Sequence, residues 1–251
     1  MRTFSQDLLQ VSVLDNRKEM GTAAAQAGLM HLKMLLEKQQ WVNIIFAAAP
    51  SQDELYAGLL KDPQISWNRV NAFHMDNYIG LDDDALQQFT TFLRERFFSK
   101  LPFASVFYMG NKAEDAAEYE ELLNIHTPDM CFMGVGENGH IAFNDPDNAL
   151  FDDPQPIKLV ELDLPCRMQQ VNEGNFKTLD EVPTHALTLT IPTLMGCKHL
   201  ICTVPGRNKA QAVKNMLEGD ISEACPATIL RRHPSAQLFL DDQAAALLED
   251  Q

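Results

Sequence analysis

The sequence predicts an α/β protein with a mostly parallel sheet flanked by helices on both faces. Short apolar runs alternate with amphipathic stretches along the chain, which is the order expected of a parallel sheet covered by helices. Neither an internal repeat nor a long glycine- and serine-rich linker interrupts this alternation. The chain has 251 residues, of which 45% are hydrophobic, so it can bury a full core. We therefore expect a single domain over residues 1–251.

The predicted elements begin with a helix over residues 23–38, where apolar residues recur at helical spacing. Residues 41–49 follow as a buried strand. Ser51 and Glu54 have the spacing of a capping box, which predicts that Ser51 is the N-cap of a helix that ends at Leu60. The later predicted strands are residues 69–75, 106–109, 130–135, 157–162, 186–191, 199–204 and 237–240, and the later predicted helices are residues 85–98, 113–124 and 209–217.

Charge and cysteine content restrict the partners and the compartment. Lys and Arg number 20 against 35 Asp and Glu, and this net charge of -15 predicts that the surface repels nucleic acid and anionic membranes. A single basic pocket can still bind a small anionic metabolite. The five cysteines form no C-x-x-C pair, and no segment has the length of a signal sequence core or a membrane span. We expect a cytoplasmic protein, and the sequence is compatible with a homo-oligomer.

Polar residues follow several of the predicted strands. Ligands of such sheets sit beyond the carboxyl ends of the strands. The residues to test are therefore Ser51 and Gln52, Asp76, residues 137–145 and residues 206–209.

Asp76 ends the second predicted strand. A carboxylate held there and partly desolvated can remove a proton from a carbon next to a carbonyl. The alternative is an aspartate that caps the following turn. The preceding His74 is expected to be a packed strand residue.

Residues 134–146 combine three glycines with an imidazole and carboxylates. The glycines, Gly136 among them, allow a sharp turn and a close approach of the backbone to a ligand. His140 can act as a general acid or base, with Asp145 fixing its tautomer and Asn138 beside it. The alternatives are a histidine that bonds only to loop carbonyls and an aspartate that only initiates a turn.

Two cations are candidates for binding an anion. Lys209 lies at the start of a predicted helix after a tight turn, where backbone N–H groups also favour phosphate. Arg167 is isolated in an acidic chain and is a candidate second phosphate ligand. The alternatives are a solvated lysine and a surface pair of Arg167 with Asp163 or Glu173.

Neither a metal nor a cofactor is predicted. The seven histidines include no H-x-x-x-H pair and the cysteines lack zinc spacing. Residues 134–139 match the glycine spacing of a dinucleotide fingerprint, but no clear helix follows the third glycine.

Three motifs resemble those of the glucosamine-6-phosphate deaminase/isomerase family, which shares its fold with the 6-phosphogluconolactonases. Residues 73–81 (FHMDNYIGL) are similar to F-x-M-D-E-Y-x-G-L, residues 134–146 (GVGENGHIAFNDP) to G-x-G-x-D-G-H-I-A-F-N-E-P, and residues 206–210 (GRNKA) to G-x-x-K-A. The run H-I-A-F-N favours the deaminases, because lactonases of this fold usually carry H-T-A-S-L-F-P.

The resemblance implies a Rossmann-like fold and a reaction that converts glucosamine 6-phosphate, or a close epimer, and water into a ketose 6-phosphate and ammonia. Asp76 would move the proton between C2 and C1, and His140, oriented by Asp145, would open the sugar ring. Arg167 and Lys209 would hold the 6-phosphate. The alternatives are a 6-phosphogluconolactonase-like hydrolase and a catalytically weak sugar-phosphate-binding regulator.

Three positions depart from the family pattern. Asn138 and Asn77 stand where the motifs have Asp and Glu. Residues 47–52 (AAAPSQ) replace the glycine-rich phosphate loop expected after the first strand. The backbone N–H groups of Ser51 and Gln52 at a helix start can still receive phosphate.

Overall fold

The computed structural model describes residues 1–249 and contains seven helices and eleven strands in that range. The strands are β1 (Arg2–Gln6), β2 (Leu9–Leu14), β3 (Val42–Phe46), β4 (Val70–His74), β5 (Asp76–Tyr78), β6 (Ser105–Val106), β7 (Met130–Met133), β8 (Ile157–Glu161), β9 (His185–Leu189), β10 (His199–Val204) and β11 (Ala236–Asp241). The helices are α1 (Arg17–Lys38), α2 (Asp53–Leu59), α3 (Phe89–Arg96), α4 (Asp115–Ile125), α5 (Leu164–Asn172), α6 (Ile191–Met195) and α7 (Ala210–Glu218).

The main sheet has eight strands in the order β1-β2-β11-β10-β7-β3-β4-β6. Every neighbouring pair is parallel except the β1–β2 hairpin. Successive residues of β3 point to opposite faces, as the two-residue period of a strand requires. Ile44 and Phe46 pack in the apolar cluster beneath α1 and α2, and Ile45 packs in the cluster beneath α4 and α7. The predicted fold class is thus confirmed, whereas the division into one domain stays a prediction.

A second, three-stranded sheet in the order β5-β9-β8 lies beside the main one. The chain passes from β4 to β5 between His74 and Asp76, and Asp76 then pairs with Thr188 of β9. The buried imidazole of His74 fixes this crossing. Its Nδ1 lies 2.9 Å from the Asp76 carbonyl oxygen, and its Nε2 accepts a 2.8 Å hydrogen bond from the Met109 N–H. His74 is therefore a packed strand residue, as predicted.

Some predicted elements differ from the observed ones. Ser51 is not an N-cap, because a 3-10 turn over Pro50–Gln52 precedes α2 and no side chain caps that helix. Proline favours the first position of such a turn, since its φ is already helical. The predicted helix 85–98 begins only at Phe89, and the predicted strand 106–109 is the two-residue β6. Strands β1, β2 and β5 and helices α5 and α6 were not predicted. No helix within residues 1–249 is long and apolar enough to cross a membrane.

Candidate active site

A cavity of about 220 Å³ opens at the carboxyl ends of the parallel strands. Its walls come from the loops after β3, β7 and β10, from the crossing between the sheets, and from the end of α5. Among the predicted site residues, the cavity is lined by Ser51, Asp76, Gly136, His140 and Lys209. The structure therefore brings residues of four separate strand ends to one place, as the topology of such sheets requires.

Asp76 is the first residue of β5 and is 6% exposed. No hydrogen bond to its side-chain carboxylate is found within residues 1–249. Burial raises the pKa of Asp76 to about 8. This carboxyl can thus accept and return a proton near neutral pH, which is what a general acid–base catalyst requires.

The loop after β7 closes on itself through backbone hydrogen bonds. The Gly136 N–H donates to the His140 carbonyl oxygen at 3.0 Å, and the Gly139 N–H donates to the Gly136 carbonyl oxygen at 3.1 Å. Gly139 has a φ of +88°, and a Cβ there would lie 2.6 Å from the Cys225 Sγ. Glycine is therefore required at this turn, which presents His140 to the cavity.

The His140 imidazole contacts the fully buried carboxylate of Asp145. Nδ1 lies 2.9 Å from Oδ1, although the ring N–H does not point straight at that oxygen. Burial acts to raise the pKa of Asp145, but the contact with His140 and the hydrogen bond from Asn138 outweigh it and lower that pKa. Asp145 is thus held as a carboxylate beside the ring. The other ring nitrogen, Nε2, is then the one available to a ligand in the cavity.

Asn138 joins three parts of this cluster. Its Oδ1 accepts a 3.0 Å hydrogen bond from the His140 N–H, and its Nδ2 donates to Asp145 Oδ1 at 3.0 Å. The same Nδ2 donates to Asp163 Oδ2 at 3.2 Å. Asp163 is the N-cap of α5 and accepts a 2.7 Å hydrogen bond from the Cys166 N–H. Asp163 was predicted only as a possible surface partner of Arg167, although aspartate is a preferred N-cap residue and Pro165 lies in the first turn that follows.

Lys209 ends the 3-10 turn that precedes α7 and is 6% exposed. Its Nζ lies 3.4 Å from Oε1 of Glu173, and this oxygen also accepts a 2.8 Å hydrogen bond from Gln169 Nε2. Glu173 lines the cavity and was not predicted as a site residue. Lys209, which the turn after β10 places at the cavity, is therefore already paired with an acidic side chain at the end of α5.

The loop after β3 contributes Ser51, while Gln52 is buried behind it. Gln52 Nε2 donates to Ser51 Oγ and to the Met133 carbonyl oxygen, both at 3.1 Å, so Gln52 supports the loop. The Arg17 guanidinium also holds this loop, because it donates to the Pro50 carbonyl oxygen and lies 2.7 Å from Glu54 Oε1. Arg17 lines the cavity and was missed. Arg17 lies in the first turn of α1, whereas the helix dipole favours cations at the other end of a helix. A cation in this position indicates that the side chain has a partner outside the helix.

Arg167 corrects a prediction. Its Nη2 donates to the carbonyl oxygens of Leu179 and Val182 at 2.8 and 2.9 Å, and it does not line the cavity. Neither Asp163 nor Glu173 pairs with it among the described residues. The cavity side of α5 instead carries Gln169, Gln170 and Glu173. Arg167 is thus a structural residue that ties α5 to residues 179–182.

Asn77, which stands where the family motif has Glu, is buried beneath the start of α3. Its Nδ2 donates to the Met109 carbonyl oxygen at 3.0 Å, and its Oδ1 accepts from the Phe89 N–H at 3.2 Å. Its side chain therefore anchors β5 to α3 behind the catalytic candidate Asp76.

Three possible metal ligands, His140, Asp145 and Cys166, have donor atoms within 4.8 Å of one another. Burial raises the pKa of the Cys166 thiol well above its ordinary value, so the thiol keeps its proton. Asp145 is already engaged by His140 and Asn138. A metal ion needs a deprotonated thiol, and this donor set does not supply one.

Comparison with known proteins identifies the family of this chain. Residues 15–239 match the family model described as glucosamine-6-phosphate isomerases/6-phosphogluconolactonase. A glucosamine-6-phosphate deaminase of Bacillus thuringiensis (strain Al Hakam) is 33% identical over 230 residues, which cover 90% of this chain and 86% of the relative. The enzyme of the same name from Bacillus cereus (strain B4264) is 32% identical with the same coverage.

Two solved structures are similar as well. A monomeric glucosamine-6-phosphate deaminase superimposes with a TM-score of 0.85 at 27% identity, covering 94% of this chain and 99% of the other. The 6-phosphogluconolactonase of Thermotoga maritima has a TM-score of 0.74 at 18% identity, with 93% and 99% covered, and shows the shared fold. The chain belongs to the glucosamine-6-phosphate isomerase/6-phosphogluconolactonase family.

Proposed function

We propose that this protein converts glucosamine 6-phosphate and water into a ketose 6-phosphate and ammonia. The observation that carries the proposal is one cavity lined by both Asp76, whose pKa burial raises to about 8, and His140, which is backed by Asp145. An aldose–ketose isomerisation needs a proton acceptor at carbon and an acid–base group at the ring oxygen. Relatives that are 33% identical over 90% of the chain carry the name of this activity.

In this proposal His140 opens the ring. The imidazole removes the proton of the C1 hydroxyl and returns it to the ring oxygen, which breaks the C1–O5 bond and gives the open-chain aldehyde. Asp145 holds the ring through the N–H at Nδ1, so that Nε2 is the basic nitrogen that takes up and returns the proton, and the charge of Asp145 stabilises the imidazolium that forms transiently.

Asp76 then carries out the isomerisation. Its carboxylate removes the proton from C2 while the aldehyde oxygen takes up a proton, which gives an enolamine, and the resulting carboxylic acid returns its proton to C1 while the nitrogen gives one up. The product is an imine at C2. Water adds to this carbon and ammonia leaves, so Asp76 ends in the state in which it began. A pKa of about 8 suits a group that must be both base and acid in one cycle.

Lys209, Ser51 and the backbone N–H groups of the loop after β3 would receive the 6-phosphate. Lys209 and Ser51 line the cavity, and Arg17 adds a second positive charge at the same loop. Gly136 would let the backbone approach the sugar. Arg167 has no place in this proposal.

We further propose a cytoplasmic location, because all five cysteines are free thiols, as expected in a reducing compartment.

The test measures ammonia release from glucosamine 6-phosphate, with galactosamine 6-phosphate and N-acetylglucosamine 6-phosphate assayed in parallel. We expect ammonia from the first and none after Asp76→Asn. Hydrolysis of 6-phosphogluconolactone serves as the competing assay. Thermal stabilisation by the amino sugar phosphates without ammonia release would indicate a sugar-phosphate-binding protein and not an enzyme. Hydrolysis of the lactone alone would indicate a lactonase and not a deaminase.

A further inference from the structure

Two carboxylates in the candidate site are joined by a single amide. Asn138 Nδ2 lies 3.0 Å from Asp145 Oδ1 and 3.2 Å from Asp163 Oδ2. Asp145 is fully buried, and Asp163 and Asn138 are half-buried. The carboxylates come from distant parts of the chain, the loop after β7 and the start of α5, so the contact is a feature of the fold.

The electrostatics of the pair favour this amide. Burial raises the pKa of Asp163 and the nearby charge of Asp145 raises it further, whereas the hydrogen bond from Asn138 acts to lower it. The hydrogen bond from Asn138 also lowers the pKa of Asp145. One NH₂ group therefore stabilises the ionised form of both neighbours, which would otherwise repel each other.

We propose that Asp163 is a positioning residue of the deaminase site, which acts on His140 through Asn138. This role rests on the proposed function, and Asp163 contributes to it in two ways. Its charge adds to that of Asp145 in stabilising the imidazolium formed during ring opening. Its acceptor oxygen fixes the Asn138 amide, and the other end of that amide holds the His140 N–H. Asp163 does not line the cavity and touches no substrate.

The same geometry explains why an amide is present at position 138. An aspartate there would put a third carboxylate against Asp145 and Asp163. Clustered carboxylates cannot all ionise, so one proton would be shared among them near neutral pH. Asn138→Asp alone is therefore expected to reduce turnover, and the charge count is restored if Asp163→Asn is made at the same time.

The experiment compares four proteins: wild type, N138D, D163N and the N138D/D163N double variant. Asparagine is as good an N-cap as aspartate, so D163N keeps the cap of α5 and removes only the charge and the acceptor. We expect each single variant to lose about tenfold in kcat and the double variant to exceed N138D by about tenfold, as for residues in direct contact. A double variant no better than the product of the single effects would overturn the proposal.

The pH profile separates a charge effect from a structural one. The acid limb of kcat/KM should move to higher pH in N138D and return toward the wild-type position in the double variant. D163S keeps the N-cap without the charge and should lose activity as D163N does. Glu161→Gln removes an exposed carboxylate two residues from Asp163 and is the matched control, expected to act like wild type. An equal loss in E161Q would refute a specific role of Asp163.

A readout without turnover keeps the inference separate from the proposed function. If wild type releases no ammonia from any of the sugars, the proposed function fails. The link between the three side chains is then tested by thermal unfolding at pH 6 and pH 9. The destabilisation of N138D should grow with pH, as its three carboxylates ionise, and should be smaller in the double variant. An equal pH dependence of the destabilisation in N138D and in the double variant would overturn the proposed coupling of Asn138, Asp145 and Asp163.

Discussion

The His140 imidazole lies so close to Gly136 that a Cβ built on this glycine would be 2.2 Å from the His140 Cε1. Real Cβ atoms do not come that near to another heavy atom. The loop cannot relax easily, because the Gly136 N–H donates to the His140 carbonyl oxygen at 3.0 Å. Any side chain at position 136 therefore has to move the imidazole.

We predict that Gly136→Ala lowers kcat about a hundredfold, the cost typical of a catalytic group displaced by about 1 Å. Gly196→Ala is the control, because Gly196 lies outside the cavity and has an ordinary φ of -73°. Steady-state kinetics and thermal unfolding of both variants check this. A G136A enzyme with wild-type kcat would show that His140 need not keep its position.

The raised pKa of Asp76 predicts a pH dependence of activity. Because burial raises this pKa to about 8, the carboxylate that removes the C2 proton forms only as the pH approaches 8. We expect kcat/KM to rise up to that pH, and Asp76→Asn to abolish exchange of the C2 proton in deuterated buffer. Full exchange in D76N would remove Asp76 from the reaction.

Asp76 also predicts a pH dependence of stability. Its pKa rises from 3.8 in the unfolded chain to about 8 in the folded one, so the folded state binds more protons between these values. Stability from this group falls as the pH rises from about 4 to about 8 and then stays constant. D76N should therefore gain melting temperature relative to wild type at pH 9 but not at pH 4. A difference in melting temperature that stays constant from pH 4 to pH 9 would contradict the raised pKa of Asp76.

The Lys209–Glu173 contact predicts an effect on phosphate affinity. A phosphate at Lys209 Nζ must replace or approach the Glu173 carboxylate, which lies 3.4 Å from that nitrogen. We expect Glu173→Gln to tighten inhibition by inorganic phosphate and lower KM about tenfold, because a like charge is removed. Lys209→Ala should weaken inhibition by inorganic phosphate and raise KM. Glu218→Gln, in the surface pair with Lys214, is the control and should change neither. Weaker phosphate binding in E173Q would contradict the competition.

Three histidines at the opposite end of the sheet predict loss of stability in acid. The rings of His31 and His199 stack at 4.0 Å. Burial lowers the pKa of His31 and His233, and it lowers that of His199 to about 4, with His31, His233 and Lys198 adding to the effect and Asp129 opposing it.

These neutral rings stabilise the folded state above the ordinary histidine pKa of 6.5, and that stability is lost as the pH falls from 6.5 toward 4. We expect the melting temperature to drop over this interval, and His199→Gln to flatten the drop. Differential scanning calorimetry at several pH values measures it. An unchanged slope in H199Q would exclude His199 as a contributor.

The sequence predicted those site residues that stand directly after strands. Asp76, His140 and Lys209 were predicted to lie close together because the carboxyl ends of parallel strands meet at one edge, and all three line one cavity. Glu173 was missed because its closeness to the cavity depends on how α5 packs, whereas the positions of Arg17 and Asp163 at helix starts were signals that were not used. Arg167 was misassigned for the same reason, since sequence does not decide which side of α5 faces the cavity.

The fold was predictable where periodicity was strong. Strand β10 occupies the predicted residues 199–204, and α1 begins only six residues before its predicted start. Strand β5 was missed because three buried residues carry no recognisable alternation. The β1–β2 hairpin was missed because β1 contains a single apolar residue, Phe4, although residues 9–13 of β2 alternate between apolar and polar.

Helix α5 connects both ends of the candidate site. Asp163 caps its start beside the His140 cluster, and Glu173 follows its last residue beside Lys209. Nine helical residues span about 13 Å. In the proposed reaction, this helix would therefore set the distance between the His140 cluster and Lys209, the proposed phosphate ligand. The two ends of this one short helix would thus connect the acid–base groups with the group that binds the anion.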